Sequence, residues 1–158
     1  MAAAAGSVPL RLLNPHTREA YDLDLFIGDQ WNMDAVRVCD WLMRDWRQSL
    51  AVQCDRKLYA ALYVMQRYFA PDGRINLHSG YRTEQTNEYL REVGYGPAVH
   101  SQHLKAKAVD FSIPGVSMKN VARAVYSLSI GGTGLYEDQN FVHMDSRGTQ
   151  VTWADPFM

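Results

Sequence analysis

The stretch Ser101–Asp110, reading Ser-Gln-His-Leu-Lys-Ala-Lys-Ala-Val-Asp, constrains this chain more than any other. It separates His103 and Asp110 by six residues, and neutral imidazole and carboxylate are both ordinary zinc ligands. In an extended strand the two Cα atoms would lie roughly 23 Å apart. In a helix they would lie two turns apart, roughly 10 Å, which is awkward for one tetrahedral ion. If both bind one metal, the chain must turn back between them. Such a pair arises easily by chance, because charged residues make up roughly a quarter of an average chain. A third candidate lies in Phe141-Val-His-Met-Asp145. Read as a strand, that segment puts Phe141, His143 and Asp145 on one face and Val142 and Met144 on the other.

The remaining pattern supplies a frame for these residues. Val8–Leu13 and Ala20–Phe26 read as a β-hairpin around Asn14-Pro15-His16-Thr17, with His16 exposed and idle in the turn. From Met33 the period becomes helical, with Ala35, Val38, Cys39, Leu42 and Trp46 on one stripe. Asp55 is a natural N-cap for a second helix striped by Leu58, Ala61, Leu62, Met65 and Phe69. Trp41 and Trp46 read as core. Asp72-Gly73 turns into a strand over Arg74–His78, and Thr83 caps a helix that runs to Val93. Lys107–Ile113 is the next strand. Its Val109, Phe111 and Ile113 face the core, opposite Ala108, Asp110 and Ser112. Ser117 then caps a helix striped by Val121, Ala122, Val125 and Leu128. Strand Leu135–Glu137 follows, and Asn140–Asp145 with Thr149–Trp153 form an antiparallel pair turning at Arg147-Gly148. The expected class is α+β: a small antiparallel sheet carries the metal site, helices pack against it, and the hairpin stands at the N-terminal end.

Several function classes drop out. A formal charge of −1 and a pI near 6.5 argue against nucleic-acid or anionic-membrane surfaces, which normally need a basic patch. No apolar run approaches the roughly 20 residues of a membrane span. There is no Gly-x-Ser-x-Gly elbow for a serine hydrolase, and no Gly-Lys-Ser/Thr follows Gly131, Gly132 and Gly134. Cys39 and Cys54 are too few for a disulfide scaffold and read either as two buried thiols or as one bridge. Residues 1–7 read as a cloning scar or the small-residue remnant of a removed export signal. Residues 8–158 read as one domain.

A family resemblance runs from about Leu10 to Trp153. It is carried by Ser79-Gly80-Tyr81-Arg82, Thr86-Asn87, Ser101-Gln102-His103, Ala108-Val109-Asp110 and Ile113-Pro114-Gly115-Val116-Ser117. It continues through Gly132-Thr133-Gly134-Leu135-Tyr136, Asn140-Phe141-Val142-His143 and Trp153. Together these resemble the zinc D-Ala-D-Ala peptidases, a superfamily that includes the Hedgehog-type fold, and most closely its murein endopeptidase branch. In that pattern Gly stands where this chain has Ala106; if the position needs φ > 0, alanine there costs about 1 kcal/mol or more.

The resemblance implies one zinc per chain on His103, Asp110 and His143, with a fourth position open for water, as in a catalytic rather than a structural site. It implies that Arg82, which by itself reads as a surface salt-bridge residue, holds a substrate carboxylate or carbonyl with its planar fork of donors. Ser101 is expected to hydrogen-bond substrate or to cap its loop. A general base must take the water proton. Asp145 is favoured, because His-x-Asp is similar to the branch and one strand spacing of two residues spans roughly 6.6 Å. The alternatives are Glu137, whose spacing resembles the Hedgehog-type glutamate, and a role for Asp145 in orienting a ligand histidine. His100 and His78 are expected to be non-ligands. The implied substrate is the cross-linked peptide stems of peptidoglycan, met by an exported or periplasmic monomer. A carboxypeptidase trimming terminal D-alanine and a non-catalytic wall-binding module are the competing expectations.

Overall fold

The structure, a computed structural model, describes residues 8–154. The expectation for residues 1–7 lies outside them. Nine strands and four α-helices follow in order. They are β1 (Leu10–Asn14), β2 (Glu19–Leu23), β3 (Phe26–Ile27), β4 (Gln30–Trp31), α1 (Met33–Leu42), α2 (Arg56–Phe69), β5 (Ile75–Ser79) and α3 (Glu84–Glu92). After a 3₁₀ turn at Gln102–Lys105 come β6 (Ala108–Ser112), α4 (Met118–Leu128), β7 (Gly132–Tyr136), β8 (Phe141–Asp145) and β9 (Val151–Trp153). The three expected helix caps are present. Asp55 accepts from the amide of Lys57, Thr83 from Thr86 and Ser117 from Asn120. No helix among the described residues is long and apolar enough to cross a membrane.

The sheet is larger than expected and is mixed. Seven strands run in the order β2-β1-β5-β6-β8-β7-β9, with β1–β5 and β7–β9 parallel and the other pairs antiparallel. The parallel β1–β5 pair follows from α1 and α2, which form the long crossover that returns the chain in the same direction. The expected antiparallel pair of β8 and the last strand does not form. Both edges of β8 are already taken by β6 and β7, so β9 joins the free edge of β7, with Trp153 opposite Gly134. Strand β7 starts at Gly132, three residues before the expected Leu135, and ends at Tyr136.

Alternation along β6 and β8 divides the sheet into two chemistries. Val109, Phe111, Val142 and Met144 are fully buried against α4 and α2, through residues such as Val121, Val125, Leu62 and Met65. Asp110, Ser112, His143 and Asp145 point to the opposite face. Helix α1 stops at Leu42, so Trp46 lies beyond its stripe, and Trp41 is exposed rather than core. Cys39 and Cys54 are two free, buried thiols. Burial pushes each up to about 12, which leaves them inert.

Candidate metal centre

The turn between His103 and Asp110 is built from local rules. Ser101 caps the 3₁₀ turn, its Oγ accepting from the His103 amide at 3.2 Å. Ala106 then takes a left-handed conformation (φ 56°, ψ 37°), the position at which the family pattern has glycine. That residue reverses the chain into β6, so His103 and Asp110 meet despite their separation. Asp110 stands directly across from His143 in the β6–β8 register. Between Leu77 and Ser79, β5 shifts register against β6, which brings Ser79 opposite Asp110. Such bulges re-aim side chains beside functional sites.

His103, Asp110 and His143 each offer one donor atom, and these atoms lie within 4.8 Å of one another. His103 Nε2 is 3.3 Å from one Asp110 oxygen, and His143 Nδ1 is 3.0 Å from the other. Each imidazole is oriented from behind. His103 donates Nδ1–H to the Gly80 carbonyl at 2.7 Å, which leaves Nε2 free to ligate. His143 turns Nε2 to Asp145 at 2.7 Å, which aims Nδ1 at Asp110 and the other donors. Two imidazole nitrogens and one carboxylate, all buried and each imidazole oriented from behind, match a divalent cation of the zinc type.

The electrostatics favour an ionised Asp110 and a neutral His103. Burial would raise the Asp110 carboxyl, but the two histidines hold it well below the usual carboxylate range. Burial pushes His103 down, toward the neutral form. Burial also acts to lower His143, yet its hydrogen bonds to Asp110 and Asp145 raise it to about 9.

Asp145 is fully buried. Its Oδ1 accepts from the Gly132 amide at 2.8 Å and from the Arg147 amide and Nε at 3.2 and 2.9 Å. Its Oδ2 accepts from His143 and from Arg147 Nη2, each at 2.7 Å. Gly132 is required here, since a Cβ on it would press into this carboxylate. A Cβ on Gly134 would strike the Trp153 indole, which donates to the Tyr136 hydroxyl and lies 4.8 Å from the His143 ring. Neither Arg147 nor the two glycines were read as site residues from sequence; an Arg two residues past a buried Asp carries no local signal.

A cleft of about 760 Å³ opens over the three donors. Arg82 lines it, buried, and donates to Asn87 Oδ1 at 3.0 Å and Ser79 Oγ at 3.1 Å. His78, His100, Ser101, Tyr136 and Trp153 also line it. His78 bonds Ser112 Oγ at 2.7 Å, and His16, far from idle, closes one rim by bonding the His78 carbonyl at 2.9 Å. Glu137 is exposed in the turn after β7, flanked by the lining residues Tyr136 and Gln139, but is not part of the cleft wall.

Comparison with known proteins follows this geometry. A family model described as peptidoglycan L,D-endopeptidase MepK matches residues 2–153. Peptidoglycan L,D-endopeptidase MepK of Escherichia coli (strain K12) is 34% identical over 137 residues, covering 87% of this chain and 75% of that protein. A probable peptidoglycan L,D-endopeptidase MepK of Haemophilus influenzae is 32% identical over 145 residues, covering 91% of this chain and 77% of that protein. No solved structure gives a significant match.

Proposed function

Because this chain belongs to the peptidoglycan L,D-endopeptidase MepK family, we propose that it is a zinc-dependent endopeptidase that opens peptide cross-links of the cell wall. The observation that carries this reading is the convergence of His103, Asp110 and His143 at the floor of an open cleft. Each histidine is held from behind by a partner that aims its other nitrogen at the same point beside Asp110, a feature that a merely structural trio of polar residues would not need.

These three residues would hold the ion. When bound, zinc supplies Lewis acidity that polarises a carbonyl and activates water. The chain's own residues do the rest. Arg82, fixed by Asn87 and Ser79, presents a guanidinium without a carboxylate partner and orients a substrate carboxylate or carbonyl. Gly80 holds His103, and Asp145 holds His143. Asp145 has both oxygens engaged and none facing the cleft, so we assign it the orienting role rather than that of the base. Glu137, beside the cleft and with a carboxylate that has no hydrogen-bond partner among the described residues, is the acid left to accept a proton. Ser101 acts as the cap of the ligand turn. The substrate places the working protein outside the cytoplasm, and one chain carries a complete site.

Digestion of purified peptidoglycan, with products identified by mass, tests the proposal. Opened cross-links, abolished by chelation and restored by zinc, are expected. Loss of terminal D-alanine alone would mark a carboxypeptidase instead. No product from zinc-loaded protein would leave a wall-binding module.

A further inference from the structure

The cleft is cationic although the chain as a whole is not. Arg47, Arg82 and Arg147 all line it, and among the described residues its wall holds one acid, Asp110. Arg147 is matched by Asp145. Arg82 and Arg47 have no carboxylate within ion-pair distance among the described residues. The two feel one another: burial lowers Arg82 from its ordinary value, the Asp110 and Asp45 carboxylates oppose that, and the charge of Arg47 adds to it. Keeping two unpaired like charges in one cleft costs stability, a pattern characteristic of sites built to receive anions.

Arg47 is also held in place. Its guanidinium lies over the Trp46 ring, 4.3 Å from the centroid, and His16 stacks on the same indole at 4.8 Å and 15°. Its backbone is fixed by Asp45, buried to 3%, in a loop closed by the Asp45–Leu50 bridge. Asp45 Oδ1 accepts from the amides of Arg47 and Gln48 at 3.1 and 3.2 Å. The other oxygen, Oδ2, accepts from the amide and hydroxyl of Thr83 at 2.9 and 2.8 Å. Thr83 directly follows Arg82. One buried carboxylate therefore fixes the spacing of the loops that carry both arginines.

We infer that Arg47 is a specificity-determining residue that binds a second substrate carboxylate, distinct from the one oriented by Arg82. The inference rests on the peptidase reading and narrows it. The preferred substrate is a cross-linked peptide with two free carboxylates near the scissile bond, and conversion of the second to a carboxamide would weaken its binding.

The test uses a synthetic cross-linked diacid peptide and its two monoamides, with zinc-loaded wild type, Arg47→Ala and Arg47→Lys. For one monoamide, wild type should show KM raised about 5- to 20-fold with kcat within about twofold, the scale of a charge-assisted bond at a partly exposed site. Arg47→Ala should show the same rise on the diacid and no further loss on that monoamide, and Arg47→Lys should recover part of the preference. Calorimetric Kd values for the same three peptides with the scissile amide reduced to CH₂–NH separate this inference from the peptidase reading. A diacid preference lost in Arg47→Ala upholds it even if nothing is cleaved. Equal Kd and KM for the diacid and both monoamides in wild type, or a preference for the diacid over each monoamide that Arg47→Ala keeps in full, would overturn it.

Discussion

The two faces of β6 and β8 share one backbone and do opposite work. On one face Val109, Phe111, Val142 and Met144 are fully buried against helices, where close packing supplies stability. On the other, Asp110, His143 and Asp145 are buried polar groups whose desolvation must be offset by hydrogen bonds to one another, to Arg147 and to the Gly132 amide. The first face would fold without any ligand. The second gathers His103, Asp110 and His143 into a candidate metal site, and its like charges are tolerable because every one has a partner. The lesson is that fold and site can be separated at single-residue spacing, because strand side chains alternate.

That separation predicts different failures on the two faces. The largest effect is expected from Phe111→Ala, which empties a fully buried site. It should cost about 3–5 kcal/mol in denaturant titrations, by the same amount with and without zinc. A loss that depended on zinc would show that the faces are energetically coupled.

On the polar face, Asp145→Asn removes the charge that holds His143 and pairs with Arg147. Zinc affinity should fall about 10- to 100-fold in a competitive chelator titration. Glu137→Gln should keep zinc while kcat falls about 10²- to 10⁴-fold. If Asp145→Asn instead keeps its zinc and loses only kcat, Asp145 is the proton acceptor and the orienting role assigned to it fails.

The smallest effect sharpens the comparison at the turn that joins the two ligands. Ala106 occupies the left-handed region, where an L side chain costs roughly 1–2 kcal/mol. Glycine would remove that strain but also a buried methyl, worth about 0.8 kcal/mol. Ala106→Gly should therefore stabilise the fold by about 0.5 kcal/mol, with zinc affinity unchanged. A drop in melting temperature would mean that the methyl contact outweighs the strain.

Much of this was readable in the chain. The period-two alternation of Val109–Ile113 and Phe141–Asp145 placed the ligands and the core on opposite faces, because side-chain direction along a strand is a local property. Asp55, Thr83 and Ser117 announced their helices for the same reason: a cap bonds amides two or three residues away. The family pattern around Ser101–Asp110 marked Ala106 as the position that turns. Tertiary structure alone decided the strand order, since β9 pairs with β7 only because β8 has no free edge. It also decided which nitrogen of each histidine faces its ligand partner, through a Gly80 carbonyl 23 residues from His103 and the Asp145 carboxylate beside His143. The burial of Asp145 against Gly132, and the placing of Arg47 beside the cleft through the Asp45–Thr83 contact, likewise depend on contacts between segments separated in sequence. Such contacts leave no periodic trace, because their geometry exists only once the sheet has closed.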